Sequence, residues 1–145
     1  MKILNYSAEP KFASVANKAA KVWNEVFAGH VKLIEAEYGD IVIRSGDIDL
    51  KSFPNRIAQC NDHGGRWTIT MGNHVKWALS AFQRFFGTGE DGLAAMVHEM
   101  GHVFDLPHST NPSHVMHPEI GGNGSLSKQE KEYYRKYVLT HPTFY

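Results

Sequence analysis

The sequence predicts an α+β fold in a single domain of residues 1–145, with a twisted mixed sheet packed on two helices and a third helix near the C-terminus. Three observations lead to this prediction. The length is that of one domain. A run with helical apolar spacing near the N-terminus is followed by several β-branched runs. Further helical segments come after these runs, so helices and strands share one core.

The first half of the chain alternates between segments with the apolar pattern of a strand and segments with that of a helix. Residues 3–6 form a short apolar run that predicts a first strand. Residues 12–27 place apolar side chains three and four positions apart, which predicts a helix. Residues 31–38 and 40–44 are predicted strands joined at Gly39, and we interpret them as a pair.

The middle of the chain predicts a loop and then a β-hairpin. Residues 45–55 are rich in turn-forming residues and read as a loop. Several oxygen ligands lie within it, as Ca²⁺ requires, but a solvated acidic loop is the simpler interpretation. Residues 56–61 and 66–71 are strand-like and are joined by a turn with two glycines, which predicts a hairpin.

Three helices are predicted after the hairpin. Residues 76–86 have an aromatic face typical of a packing helix, and a second helix begins near Glu90 or Asp91. A flexible loop at residues 121–124 precedes the last helix, where Ser127 and Glu130 fit a capping box. The apolar face of that helix comprises Leu126, Tyr133, Tyr134, Tyr137 and Val138, and His141 with Pro142 ends it.

Three histidines have the spacing of a metal site. His98 and His102 are four residues apart, so on a helix both imidazoles reach one ion. His108 follows six residues later, after Asp105 and a proline that end the helix. Three protein ligands leave a fourth tetrahedral position open, which is typical of a catalytic zinc rather than a structural one.

Residues 95–118 read AMVHEMGHVFDLPHSTNPSHVMHP. This segment resembles the motif of the metzincin metallopeptidases, HExxHxxGxxH followed by a methionine turn. The segment HSTNPSHVMHP is similar to the corresponding segment of the matrixin branch of this family. Asp105 stands where the family has glycine and the backbone needs a positive φ, which aspartate adopts more readily than most residues. The resemblance implies a metzincin-like (zincin) fold, with Met116 packed beneath the ligands as a hydrophobic floor.

The resemblance also implies an activity, that of a zinc endopeptidase with one catalytic Zn²⁺. Glu99 would be the base that takes a proton from the zinc-bound water. An extended polypeptide substrate would pair with the edge strand at residues 56–61, which includes Ala58. The walls of the pocket for the side chain after the cut would include Ala95, Pro118 and Ile120.

Two other functions fit the same residues. One is a zinc hydrolase of a non-protein amide such as a cell-wall peptide, and the predicted edge strand favours an extended peptide over it. The other is a non-catalytic binding module stabilised by zinc, against which Glu99 argues because a closed site needs no base. A second metal site at Asp62, His63 and His74 is less well supported than turn and surface positions.

Composition excludes several partners. Lysine plus arginine balance aspartate plus glutamate at 15 each, so no overall field attracts nucleic acid or an anionic membrane. Cys60 is the only cysteine, which excludes an intramolecular disulfide and the cysteine-switch propeptide of many matrixins. Neither a signal peptide nor a membrane span is recognisable. We therefore expect a monomer that stays in the cytoplasm or leaves by a signal-independent route, unless a leader has been removed.

Overall fold

A five-stranded mixed sheet is the base of the fold in the computed structural model, which describes residues 1–120 and 124–141. The strands are β1 (Lys2–Ala8), β2 (Val31–Glu35), β3 (Ile41–Gly46), β4 (Ala58–Asp62) and β5 (Trp67–Gly72). Their spatial order is β2-β1-β3-β5-β4. Only β4 runs antiparallel, pairing with β5 at one edge of the sheet. The α+β class, the hairpin and its edge strand are thus as predicted.

The expected pairing of β2 with β3 is wrong. Strand β1 lies between them and pairs with both in parallel, with Lys2 opposite Val31 and Tyr6 opposite Ile41. A helix, α1 (Ala13–Val26), connects β1 to β2, and such a crossover returns the chain parallel to the first strand. The apolar pattern therefore predicted the strands but not their order.

One face of the sheet is buried and the other is exposed. Leu4, Ile41 and Ile69 are at most 4 % exposed, whereas the neighbours Ile3 and Val42 are 55 % and 40 % exposed. Side chains alternate between the faces of a strand, so the buried set forms a single apolar layer. Helices α1 and α3 (Gly92–Val103) pack with this layer in one hydrophobic core.

Trp23 connects the three longer helices. Its indole Nε1 donates a hydrogen bond of 3.0 Å to the carbonyl of Val97 in α3. Its ring packs against Phe104 after α3 and against Tyr134 of the last helix, α4 (Lys128–Thr140). The indole is fully buried, so these contacts join α1 to both α3 and α4.

The predicted packing helix over residues 76–86 is wrong. The segment divides into a two-residue strand, β6 (Trp77–Ala78), and a short helix, α2 (Ala81–Phe85), that buries no residue. A further two-residue strand, β7 (Glu90–Asp91), pairs with β6. Ser80 begins α2 with a complete capping box. The three phenylalanines of the predicted apolar face, Phe82, Phe85 and Phe86, are 59 % to 83 % exposed.

The C-terminal helix forms as predicted, but one residue of its predicted apolar face is exposed. Tyr134 and Val138 are buried, but Tyr133 is 51 % exposed and lies outside the core. The helix ends at Thr140, next to His141. Pro142 and residues 121–123 of the glycine loop lie outside the described residues. In the described parts of the chain, no helix has the length and apolar character needed to cross a bilayer.

Candidate metal centre

Helix α3 carries two of the three histidines. Its first turn is capped by Asp91, whose Oδ1 accepts hydrogen bonds of 3.0 Å from the amides of Leu93 and Ala94. The helix begins at Gly92, where the acidic residues predicted its start. His98 and His102 are one turn apart on the same helix, so their side chains lie side by side.

Asp105 ends the helix in the conformation that the motif predicts. Its φ is +59°, and it is the only non-glycine residue with a positive φ among those described. The amide of Leu106 donates a hydrogen bond of 3.4 Å to the carbonyl of Gly101, which provides a donor for one of the last carbonyls of the helix. The chain then reverses, and His108 returns to the face that carries the other two histidines.

The three imidazoles converge on one point. One ring nitrogen of each lies within 4.8 Å of the others, and the Nε2 atoms of His98 and His102 are 3.3 Å apart. Two nitrogens at about 2.0–2.1 Å from a tetrahedral zinc are separated by about 3.3–3.4 Å. The helical pair therefore already has the spacing of two zinc ligands. His98 is buried, His102 is half-buried and His108 is exposed, so the site opens toward solvent at its third ligand.

Backbone carbonyls fix the tautomers of the helical pair. The Nδ1 of His98 lies 2.6 Å from the carbonyl oxygen of Val115, and the Nδ1 of His102 lies 2.9 Å from that of Leu106. A carbonyl only accepts, so each Nδ1 must carry the proton. Each Nε2 is then left with its lone pair, as a metal ligand requires.

The lone pairs of the two Nε2 atoms face each other in the neutral form. Burial lowers the pKa of His98 to about 4 and also lowers the pKa of His102. Both rings are therefore neutral near pH 7, and no proton is available to separate the two nitrogens. A metal cation between them would accept both lone pairs and so remove their repulsion, which is why these residues suit a metal ion.

Glu99 lies beside the histidines at the bottom of a cleft. Its side chain is 4 % exposed, and burial raises the pKa of this carboxyl to about 8, although the nearby charge of Arg56 acts in the opposite direction. A carboxyl that titrates near neutral pH can both accept and return a proton. The position and pKa therefore suit a general base.

The cleft has a volume of about 780 Å³ and runs along β4. Its lining includes Ala58, which the resemblance to matrixins assigned to the edge strand, and Pro118 and Ile120, which it assigned to the substrate pocket. Ala95 does not belong to this lining. Its side chain is fully buried in the hydrophobic core, so the expectation that it walls the pocket is wrong. The remaining lining residues are Ser52, Phe53, Pro54, Asn55, Arg56, Ile57, Gln59, Cys60, Glu90, His98, Glu99, His102, His108 and Glu119.

Met116 packs directly against the helix that carries the ligands. It is fully buried, and its sulfur would lie 2.5 Å from a Cβ placed on Gly101. Gly101 directly precedes His102 on the helix and faces the methionine, and the absence of a Cβ allows this close approach. Sequence reasoning missed Gly101, although a glycine inside a predicted helix signals a close contact.

Glu130 was predicted to cap α4, but its side chain has a different role. Ser127 Oγ accepts from the Glu130 amide at 3.1 Å, as a cap does. The Glu130 carboxylate instead accepts bonds from the Val115 amide at 2.7 Å and from the Tyr134 hydroxyl at 2.6 Å. The same hydroxyl accepts a bond of 3.3 Å from the amide of Met116. Two side chains of α4 thus hold the methionine turn, and Val115 of that turn orients His98.

The histidine cluster is the one group of at least three potential metal ligands among the described residues. The other acidic candidates take part in turns. Asp62 accepts bonds from the amides of Gly64 and Gly65, and Asp49 accepts from Lys51 and Ser52.

No protein-family model matches the sequence, and no curated protein matches it significantly.

Proposed function

We propose that the protein is a zinc-dependent endopeptidase of the metzincin type, with a minimal matrixin-like catalytic domain. The main support is the helical histidine pair, with Nε2 atoms 3.3 Å apart and each Nδ1 held by a backbone carbonyl. Glu99 lines the same cleft as all three histidines, which is the arrangement of a hydrolytic rather than a closed metal site.

The ligands of the zinc are His98, His102 and His108. When bound, zinc supplies Lewis acidity toward the scissile carbonyl and toward water. The helical histidines bind through Nε2 because their Nδ1 protons are already engaged. His108 completes the set from the loop after Asp105, and its exposure leaves one side of the centre open to substrate.

Glu99 acts as the general base and acid. It accepts the proton of the attacking water and then delivers it to the leaving amine. Without metal, burial raises the pKa of its carboxyl to about 8, which is close enough to neutral pH for the group to take up a proton and to release it again. No other carboxylate that lines the cleft belongs to the helix that carries His98 and His102.

The substrate lies antiparallel along β4. Among the described residues this strand pairs only with β5, so its other edge offers backbone groups to an extended peptide. Ala58, Gln59 and Cys60 of β4 line the cleft that also contains the three histidines. Main-chain pairing therefore brings a peptide carbonyl over the ligands and favours a polypeptide over other amides.

The test is cleavage of casein and of a peptide library by purified protein, with zinc content measured in parallel. We expect activity that a chelator abolishes and that added zinc restores. Glu99→Gln should keep its zinc and lose about a hundredfold to ten-thousandfold in rate. A zinc-loaded protein that cleaves peptidoglycan but no polypeptide would contradict the proposed substrate class, and a fully active Glu99→Gln would contradict the mechanism.

A further inference from the structure

A single arginine faces the cleft beside the metal centre. Arg56 lies two residues before β4, is half-buried, and lines the cleft with Glu99 and the three histidines. Its charge is close enough to act on the pKa of Glu99. The motif that defines the metal site does not include this residue, and the proposed mechanism does not use it.

The guanidinium of Arg56 is held in place without an anionic partner. Its central carbon lies 3.6 Å from the centroid of the Phe53 ring, and Nη1 donates a long bond of 3.5 Å to Oε1 of Gln59. Within the described part of the chain, no carboxylate lies within 4.0 Å of it. Stacking of one face on an aromatic ring leaves the N–H groups at the edge free to donate. Arg56 is therefore an oriented cation with donors available to a ligand.

The direction of the substrate determines what Arg56 meets. A peptide antiparallel to β4 has its C-terminal part beside the beginning of that strand. Arg56 and Phe53 precede β4, so they lie on the side of the residues that follow the scissile bond. Glu90 and Glu119 also line the cleft, so their charges repel a substrate carboxylate that does not pair with Arg56.

We propose that Arg56 determines specificity by binding a carboxylate of the substrate on the C-terminal side of the cleaved bond. This inference rests on the proposed function and deepens it. A planar guanidinium binds a carboxylate through two parallel hydrogen bonds, which is the strongest neutral-pH contact that such a donor makes. The carboxylate belongs either to an acidic side chain or to the free C-terminus of a short peptide.

Binding is tested first, without cleavage. Four fluorescein-labelled peptides of one sequence carry either glutamate or glutamine at a central position and either a free or an amidated C-terminus. Anisotropy is measured with zinc-loaded Glu99→Gln protein. We expect about tenfold tighter binding of a peptide with the recognised carboxylate. The pair of peptides that shows the difference identifies its source. The difference should disappear in Glu99→Gln/Arg56→Gln and persist in part in Glu99→Gln/Arg56→Lys.

Arg66 supplies the matched control, since it is exposed in the turn of the hairpin and does not line the cleft. Arg66→Gln should leave the preference unchanged. Equal affinity for all four peptides, or the same preference with and without Arg56, would overturn the inference. Zinc content and circular dichroism of each variant show that the fold is intact.

Cleavage is tested second, with a peptide library and wild-type protein. We expect carboxylates to be enriched after the cut in the wild type and not in Arg56→Gln. Enrichment of carboxylates before the cut would overturn the placement of Arg56 on the C-terminal side of the cut. An equal loss of rate for all peptides in Arg56→Gln would overturn the specificity role and show that Arg56 acts through Glu99. Cleavage without any carboxylate preference would sink this inference alone. Carboxylate-dependent binding without cleavage of any peptide would sink the proposed function and leave Arg56 as a binding residue.

Discussion

The candidate metal centre has two sides that differ in how firmly their histidines are held. His98 and His102 stand on a capped helix in the core, and each has its Nδ1 bonded to a carbonyl. His108 stands on an exposed loop, and its ring makes no hydrogen bond to a described residue. A site of this kind is already organised on the helical side and can adjust on the loop side. Its affinity should therefore depend most on what fixes the helix.

The largest expected effect is on the ligands themselves. His102→Ala should weaken zinc binding by more than the roughly 100-fold that the loss of an outer partner causes. His108→Ala should weaken it less, and added imidazole should restore part of its affinity, because the vacated place is open to solvent. Competitive titration against a zinc chelator measures both. Equal losses, or equal rescue by imidazole, would remove the distinction between the two sides.

Glu130→Gln should be the next largest in effect. The amide keeps an oxygen for the Val115 N–H but lacks the charge that strengthens this bond, so the carbonyl that holds His98 is less firmly placed. We expect zinc affinity to fall by about 10- to 100-fold. Ser127→Ala is the matched control, since it removes only the cap of the same helix and should cost about 1 kcal/mol of stability with unchanged zinc affinity. Identical behaviour of the two variants would show that Glu130 acts only on the helix.

Gly101→Ala tests the packing of the helical side. Helix propensity alone would make this change stabilising by about 1 kcal/mol. The added Cβ would instead overlap with the sulfur of Met116 and with the ring of Trp23, so we expect a loss of about 1–3 kcal/mol in the free energy of unfolding. Denaturant unfolding of metal-free protein gives the sign. A variant more stable than wild type would mean that the side chain of Met116 moves aside for the added Cβ at little cost.

The smallest expected effect is a pH dependence of the metal-free protein. Burial raises the pKa of Glu99 from 4.5 to about 8, so its contribution to stability is complete below pH 4.5 and is lost as the pH rises toward 8. Burial lowers the pKa of His98 from 6.5 to about 4, so its contribution is complete above pH 6.5 and is lost as the pH falls.

Of these two groups, only Glu99 changes the stability between pH 6.5 and 8. Metal-free Glu99→Gln should therefore gain stability relative to wild type from pH 6.5 to 8, on the order of 2 kcal/mol. Urea unfolding at several pH values measures the gain, and Glu132→Gln, an exposed position, serves as control. Parallel curves for wild type and Glu99→Gln would show that the carboxyl is not desolvated in solution.

The convergence of the histidines could be predicted because it depends on local rules. A spacing of four residues places His98 and His102 together on any helix, and the positive φ of Asp105 follows from the need to end that helix. Zinc binding and peptide cleavage are proposals, since they follow from chemistry and resemblance rather than from geometry alone.

The remaining features depend on tertiary contacts that no local pattern contains. Residues 76–86 have helical periodicity, but pairing of Trp77–Ala78 with Glu90–Asp91 divides them and leaves α2 on the surface. Ser127 and Glu130 fit a capping box in sequence, yet the carboxylate is drawn to an unpaired amide in the methionine turn. Ala95 resembles a pocket residue by position in the motif, but the core encloses it.

The link between α4 and His98 has a consequence for synthesis on the ribosome. The carbonyl of Val115 orients His98, and the amide of Val115 is held by Glu130. Glu130 follows His108, the last histidine of the cluster, by more than one-seventh of the chain. A nascent chain that has already exposed all three histidines still lacks the helix that steadies them. On the proposed function, the centre should reach its full affinity for zinc only when the final helix has emerged, and peptide cleavage should begin no earlier.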